Sequence, residues 1–255
     1  MPVLIKGRLI DAKTPLICVP ITDDTADGII SRAKKLVDAG VEMIEWRADF
    51  FEGISNNERV LEVLNLLREI TPDTILIVTL RSRDQGGKCT MDQDERKALL
   101  ITMAQAHSAD LIDVEYFSYE NPLRLIERLH ERGALVVVSH HDFNETPTRA
   151  VMRELMSQMA DVDGDIVKLA VMPTGMQDVS NLLSVTDWFA SSHQGVPVIT
   201  MSMGPMGVLS RIGGFMFGSA VTFAADGDAA SAPGQLPYDD VESIIRILKK
   251  DPSLG

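Results

Sequence analysis

Short apolar runs alternate with amphipathic stretches along most of the 255-residue chain. The apolar runs have the length and the β-branched content of buried parallel strands. Between them, apolar residues recur at helical spacing, most clearly at 27–39, 58–70 and 239–249. The predicted strands are 16–20, 42–47, 75–81, 111–115, 135–139, 166–171, 198–203 and 219–223.

The predicted strands recur about every 25–30 residues, which is the period of a strand–helix unit. Eight such units predict an α/β protein with a (β/α)8 TIM barrel. An open doubly wound sheet is the alternative, but it usually has a glycine-rich phosphate turn after its first strand, and residues 19–23 contain no glycine. No Pro-, Gly- or Ser-rich linker interrupts the pattern, so we expect one barrel domain over 1–255, with a short hairpin within 1–11.

The composition and charge of the chain argue against several classes of partner and location. The net charge of −13 argues against nucleic acid and against an anionic membrane as partners. No run is apolar enough for a membrane span, and no apolar run follows Lys6 and Arg8 as in a signal peptide. The two cysteines, Cys18 and Cys89, have neither disulfide-scaffold nor metal-ligand spacing, so reduced thiols in a cytoplasmic protein are expected.

The strand at 166–171 contains one charged residue, Lys168, among apolar neighbours. An ammonium group is costly to bury without a polar partner. Burial favours the neutral amine, which is the form that attacks carbonyl groups. The alternative for Lys168 is a structural lysine at a strand end, paired with a nearby carboxylate.

Other polar residues collect where predicted strands end, which is where barrel enzymes carry their catalytic groups. Period-two alternation puts Glu45, Arg47 and Asp49 on one face of the second strand, with Trp46 on the opposite face toward the helices. Parallel barrel strands have no solvent-facing side, so these charges must pair with each other or meet a polar ligand. Pairing of Glu45 with Arg47 alone is one alternative.

The remaining strand ends add further inward side chains. Of two adjacent histidines only one enters the barrel, and alternation selects His141. Gly86 and Gly87 are compatible with a free loop after the third strand, and 226–237 with a mobile lid or an inert connector. The charged inward set is Lys168, His141, Arg47, Arg81, Arg211, Glu45 and Glu115, joined by Met201, Met203 and Phe223.

A neutral lysine beside a histidine suits imine chemistry. The amine condenses with a ketone, and the histidine moves a proton at the neighbouring carbon. Arginine grips carboxylates through two parallel hydrogen bonds, which indicates an acidic substrate. The sequence has no metal-ligand spacing, no P-loop and no Gly-x-Ser-x-Gly turn.

Six motifs stand in the order and spacing of the type I 3-dehydroquinate dehydratases, which the chain therefore resembles over nearly its whole length. They are Glu45-Trp46-Arg47-Ala48-Asp49, Thr79-Leu80-Arg81-Ser82, Ser139-His140-His141-Asp142-Phe143, Lys168-Leu169-Ala170-Val171-Met172-Pro173, Ser210-Arg211 and Ser231-Ala232-Pro233-Gly234-Gln235. The resemblance implies a (β/α)8 barrel, usually a homodimer. It also implies syn elimination of water from 3-dehydroquinate in the shikimate pathway, without a metal or an organic cofactor.

The resemblance also implies a role for each site residue. Lys168 would form the imine, and His141 would move the proton. Arg211, Ser231 and Gln235 would hold the carboxylate. Glu45, Arg47 and Arg81 would contact the ring hydroxyls and support the site, and the apolar wall would be Met201, Met203 and Phe223.

Two positions depart from the family pattern. Gln85 stands where the family has a glutamate bonded to the catalytic histidine. Its carbonyl can still fix the imidazole tautomer, but it cannot stabilise an imidazolium ion by charge, so we expect a weaker base and slower turnover. Pro20 stands where some members have a serine, which removes one hydroxyl contact.

Two other functions remain open on the sequence. A class I aldolase also uses a strand lysine in a barrel, but the Ser-His-His-Asp-Phe motif and the 231–235 motif disfavour it. A non-catalytic paralogue that binds an acid of the same pathway is favoured only by Gln85, and the retained Lys168 and His141 argue against it.

Overall fold

The computed structural model describes residues 3–227 and 231–249. Two strands, β1 (Leu4–Ile5) and β2 (Arg8–Leu9), pair antiparallel as the expected N-terminal hairpin. The barrel strands follow as β3 (Leu16–Ile21), β4 (Met43–Arg47), β5 (Ile75–Thr79), β6 (Leu111–Glu115), β7 (Leu135–Asp142), β8 (Ile166–Val171), β9 (Val198–Ser202) and β10 (Val221–Phe223).

Helices alternate with these strands, as the apolar spacing predicted. They are α1 (Ala26–Asp38), α2 (Asn57–Ile70), α3 (Gln93–Gln105), α4 (Pro122–His130), α5 (Arg149–Asp161), α6 (Met176–Ser192), α7 (Val208–Gly213) and α8 (Tyr238–Leu248). Several begin at side chains that cap free backbone N–H groups, such as Thr25 before α1, Asn56 before α2 and Asp92 in a capping box before α3.

The eight barrel strands are parallel, in the order β10-β3-β4-β5-β6-β7-β8-β9. The barrel closes between β9 and the chain just before β10. There Val198 and Ser219 form an isolated bridge, and the Ala220 N–H donates to the Val198 carbonyl at 2.7 Å. We call this junction the seam. The (β/α)8 barrel is therefore confirmed.

Three strand ends differ from the predicted bounds by more than one residue. β5 stops at Thr79 rather than at 81, because the chain turns there and Ser82 bridges Cys89. β7 runs on to Asp142 rather than ending at 139, because it stays paired with β8 up to Val171. β10 begins at Val221 instead of 219, since Ser219 belongs to the seam.

Alternation along the strands separates two hydrophobic cores. One face packs under the helices, with buried side chains such as Trp46, whose ring lies 6.1 Å from that of Phe51. The other face fills the barrel interior, with Met43, Ile77 and Ile166 among its buried members. At the N-terminal end the hairpin adds to the interior core, and Lys6 Nζ donates to the Thr71 and Thr74 carbonyls. The polar interior positions lie toward the opposite, carboxyl end.

Across residues 3–227 and 231–249, the helices fall short of the combined length and apolar character that crossing a membrane requires.

Candidate active site

The inward side chains at the carboxyl ends of the strands surround one cavity. The cavity has about 450 Å³ of empty volume, part of it open to solvent. Most predicted site residues lie on its wall, and Arg211 lies beside it against Met201. The lining residues are Glu45, Arg47, Arg81, Gln85, Gly86, His141, Phe143, Lys168, Ala170, Met201, Met203, Phe223, Ser231, Ala232 and Gln235.

Lys168 lies on the cavity wall and is also paired with carboxylates. The two interpretations of this residue, a reactive amine and a structural ion pair, are therefore compatible. Its Nζ is 3.3 Å from Glu45 Oε1 and 3.6 Å from Asp113 Oδ2. On another side, Nζ lies 4.3 Å from the centre of the Phe223 ring. The lysine is only 4% exposed, so its charge is balanced by two carboxylates rather than by bulk water.

The side chain of Arg81 joins three strands. Its Nη2 donates to Asp113 at 2.8 Å, and its Nη1 donates to Glu115 at 3.1 Å and to the Ser139 hydroxyl at 3.0 Å. Burial alone would lower the arginine pKa, but the two carboxylates outweigh it and raise the pKa above its usual value. Burial likewise works against the Asp113 carboxylate, yet Arg81 and Lys168 hold the Asp113 pKa below its usual value. This network keeps the Asp113 carboxylate ionised beside Lys168.

The charged face of β4 divides between two partners. Arg47 donates to Asp49 through two bonds of 2.8 Å each, and Asp49 also accepts from the Lys88 N–H. Glu45 instead accepts from Thr79 and pairs with Lys168. The alternative that Glu45 pairs with Arg47 alone is therefore wrong, because each faces a different neighbour on the barrel wall.

His141 extends from the end of β7 into the cavity, while His140 points the other way and lies edge-on to the Phe117 ring at 4.9 Å. Gln85 holds His141 twice. Its Oε1 accepts the His141 backbone N–H at 2.8 Å and lies 3.3 Å from Nδ1. Burial, followed by the charges of Arg81, Lys168 and Arg47, holds the His141 pKa well below the usual histidine value. The imidazole is therefore neutral at pH 7 and can accept a proton.

The glycines after Gln85 form a tight turn rather than a free loop. Gly86 has φ +79°, and a Cβ there would lie 2.3 Å from the Phe143 ring. The ring of Phe143 can therefore pack directly over this turn and line the cavity next to His141.

Arg211 on α7 is almost fully buried, and among the described residues it lies within 4.0 Å of no carboxylate. Its Nη2 donates to the Pro233 carbonyl at 2.9 Å, and its Nη1 lies 3.9 Å from Met201 Sδ. Burial lowers the arginine pKa to about 10, which still leaves the guanidinium charged at neutral pH. A buried guanidinium with no carboxylate beside it in the described residues has hydrogen-bond geometry and charge suited to a carboxylate.

Residues 231–237, called the lid segment here, cover the cavity from above. Ser231 and Gln235 bind each other and line the cavity, with the Ser231 N–H donating to Gln235 Oε1 at 2.8 Å. Gly204 N–H donates to the Pro233 carbonyl, and Gly234 lies so close that a Cβ would be 2.2 Å from the Gly204 oxygen. Residues 228–230 of the expected lid loop lie outside the described residues.

The chain just before residue 228 is bound to α1. The Asp226 carboxylate accepts from Arg32 Nη1 at 2.6 Å and from Lys35 Nζ at 2.8 Å. Asp226 was not singled out from the sequence, because its partners lie nearly two hundred positions away. Three further residues of the site were also missed, although strand alternation or a quoted motif contained each of them: Phe143 on the cavity wall, and Asp113 and Ser139 around Arg81.

Within the described ranges, 3–227 and 231–249, no group of three or more His, Cys, Asp or Glu side chains has an arrangement that could hold a metal ion. The charged and titratable groups that line the cavity are the Lys168 amine, the His141 imidazole, the Glu45 carboxylate and the guanidinium groups of Arg47 and Arg81.

Comparison with known proteins points to one family. A family model described as type I 3-dehydroquinase matches residues 17–252. The 3-dehydroquinate dehydratase of Clostridioides difficile (strain 630) is 38% identical over 249 residues, covering 97% of this chain and 97% of that protein. The 3-dehydroquinate dehydratase of Bacillus subtilis (strain 168) is 36% identical over 248 residues, covering 97% of each chain.

Solved structures agree. The crystal structure of 3-dehydroquinate dehydratase from Geobacillus kaustophilus has a TM-score of 0.94 at 33% identity, covering 99% of this chain and 98% of that one. The type I 3-dehydroquinate dehydratase from Clostridium difficile with covalently modified comenic acid has a TM-score of 0.93 at 37% identity, covering 98% of each.

Proposed function

The chain belongs to the type I 3-dehydroquinase family, and we propose that it converts 3-dehydroquinate to 3-dehydroshikimate in the shikimate pathway through an imine at Lys168. The observation that carries the proposal is that Lys168 and His141 line the same cavity, on neighbouring strands. The relative from Clostridium difficile that was solved with covalently modified comenic acid supports covalent chemistry in the family.

The reaction begins with the amine. The Lys168 ammonium group first transfers a proton, and Glu45 Oε1 at 3.3 Å is the closer of its two carboxylate neighbours. The neutral nitrogen then attacks the ketone carbon, and the carboxyl group that took the proton returns it to the departing hydroxyl, so that loss of water gives a protonated imine. The two carboxylates that balanced the ammonium now balance the iminium, so the local charge is conserved through this step.

His141 acts first as the general base and then as the general acid. Its neutral imidazole removes a proton from the carbon next to the iminium, and the electron pair moves into the iminium to form an enamine. Return of that electron pair expels the hydroxyl group from the following carbon, and the imidazolium supplies the proton that makes it water. Hydrolysis of the conjugated iminium releases the enone product and restores Lys168.

Two groups of residues orient the substrate. Arg211, Ser231 and Gln235 bind the substrate carboxylate, while Arg47 and Glu45 bind ring hydroxyls. Both terminal nitrogens of Arg81 are already bonded to Asp113, Glu115 and Ser139, which favours a supporting role for this residue. Met201, Met203 and Phe223 complete the apolar wall.

Borohydride trapping tests this function. The protein is incubated with 3-dehydroquinate and borohydride, then weighed and digested to locate the adduct, while the conjugated-enone absorbance is followed in parallel. We expect a reduced adduct on Lys168 and product formation, both lost in Lys168→Ala and both retained in the surface control Lys34→Ala.

The other functions give different results in the same assay. Binding of 3-dehydroquinate with neither adduct nor enone would replace the proposal with a non-catalytic binder, which Gln85 alone favours. An adduct that forms with a phosphorylated sugar ketone instead would indicate a class I aldolase.

We further propose a homodimer, which the family resemblance implies, and a cytoplasmic location, which the two free, buried cysteines support. Light scattering should give twice the 28.0 kDa chain mass, and cell fractionation should find the protein with cytoplasmic markers. A monomeric mass or a secreted pool would contradict these assignments.

A further inference from the structure

We propose that Ser118 is a positioning residue for the reaction, because through Gln85 it selects the His141 tautomer whose Nε2 is free to act as the base. This proposal rests on the proposed function and concerns Gln85, one of the two positions at which the chain departs from the family pattern. Ser118 does not line the cavity and acts on the substrate only through its neighbours.

The series of hydrogen bonds begins at the backbone of His141. A backbone N–H can only donate, so the Gln85 atom that lies 2.8 Å from it must be the oxygen. The amide nitrogen of Gln85 then faces the other way, toward Ser118 Oγ at 3.4 Å, which is the longest link of the chain.

The other end is a buried carboxylate. Glu115 lies between Arg81 at 3.1 Å and Arg96 at 3.0 Å, and it also accepts the Ser82 N–H at 2.9 Å. Ser118 Oγ lies 2.5 Å from Glu115 Oε2 and donates its only hydrogen there. The serine oxygen is left to accept, and Gln85 Nε2 is the donor that faces it.

The hydrogen bonds therefore run in one direction, from His141 through Gln85 and Ser118 to Glu115. The Gln85 oxygen, fixed at 3.3 Å from Nδ1, requires that this ring nitrogen carry the hydrogen. The lone pair then lies on Nε2. Hydrogen bonds aligned in this way polarise one another, so the terminal carboxylate also increases the basicity of the ring at the far end.

A glutamate at position 85 would not need this relay. Both of its oxygens accept, so either one fixes the same tautomer, and its charge supports the imidazolium directly. In this chain a neutral amide must be held in one orientation, and Ser118 with Glu115 reinforces the orientation that the His141 backbone N–H requires.

The test measures the tautomer and the rate separately. Nitrogen-15 NMR of the five histidines, with His141 assigned from its loss in His141→Gln, should show Nδ1 protonated and Nε2 unprotonated in the unliganded protein. In Ser118→Ala we expect a mixture of tautomers at His141, with kcat reduced roughly threefold to tenfold and KM little changed. Ser118→Thr keeps the hydroxyl and should restore both readings.

Gln85→Glu provides the matched background. There Ser118→Ala should change neither the tautomer nor kcat by more than about twofold. An unchanged His141 spectrum in Ser118→Ala, or an equal loss of kcat in both backgrounds, would overturn the relay. If the wild type formed no adduct with 3-dehydroquinate, the proposed function would fail while the NMR result still decided the tautomer question.

Discussion

Two buried arginines flank the cavity, Arg81 on its wall and Arg211 beside it, and their surroundings are opposite. Arg81, on the side built from β4 to β8, contacts two carboxylates, which raise its pKa despite burial. Arg211, on the side built from β9, α7 and the lid segment, has only a carbonyl and a sulfur atom as described partners, and burial lowers its pKa.

The difference separates two tasks. The charges on the Arg81 side are balanced before substrate arrives, so they can stabilise changes of charge at Lys168 without reorganisation. The Arg211 side is unbalanced, and in the proposed mechanism a substrate carboxylate supplies the missing charge. In that proposal the Arg81 side supports the chemical steps, and the Arg211 side converts ligand binding into electrostatic stabilisation.

The largest effect is expected from Arg81→Met. Removing this guanidinium group leaves Asp113 and Glu115 buried with fewer partners, which costs about 3–5 kcal/mol of unfolding free energy. Urea denaturation of the purified variant measures this loss, and the imine adduct should disappear with it. Unchanged stability would mean that the network is not balanced as its geometry indicates.

Arg211→Met should separate binding from stability. The lost bonds to the carboxylate should raise KM by roughly tenfold to a hundredfold, since each charged hydrogen bond contributes about 1.5–3 kcal/mol. The urea midpoint should stay the same or rise, because an unbalanced buried charge is removed. The control is Arg246→Met on the exposed face of α8, and a destabilised Arg211→Met would contradict the comparison.

Gln85→Glu changes the Arg81 side without breaking it. A carboxylate beside His141 favours the imidazolium, so it raises the histidine pKa and should increase kcat by roughly threefold to tenfold. In the wild type the His141 pKa is depressed, so the base stays unprotonated at pH values below the usual histidine pKa. We therefore expect kcat/KM to be maintained at those pH values. In the variant the acid limb of the kcat/KM profile should move to higher pH. An unchanged rate and profile would contradict the role given to position 85.

The smallest effect concerns the anchor of the lid segment. Asp226→Asn weakens the pairs with Arg32 and Lys35, which are partly exposed and contribute about 0.5–1 kcal/mol. We expect KM to rise about twofold to fivefold at low salt, with kcat unchanged and the difference reduced at high salt. Asp94→Asn, which breaks an exposed pair within α3, serves as the control and should leave KM unaltered.

Much of the barrel and of the Arg81 side was predictable from sequence. Period-two alternation fixes which side of a strand a residue occupies, so Glu45, Lys168 and His141 could be assigned to the interior before any coordinates. The confirmed opposite directions of His140 and His141 rest on the same rule.

The partners of these residues were not predictable, because pairing depends on how strands stagger around the barrel. Glu45 meets Lys168 across 123 positions of sequence, while its close neighbour Arg47 turns to Asp49. The same holds for Ser118, which lies after β6 and contacts Gln85 from the loop after β5. Alternation predicts on which side of a strand a residue lies, but the residues that it contacts depend on the register between strands.

The seam between β9 and β10 lies on the same side of the molecule as Arg211 and the lid segment. Elsewhere the strands share continuous ladders, whereas this junction holds through the Val198–Ser219 bridge and the Ala220 amide. Amide hydrogens here should therefore exchange with deuterated solvent sooner than those of β7 and β8. A bound carboxylate that restrains Arg211, which lies near Ser219, would slow that exchange, so the exchange rate at the seam would report whether the site is occupied.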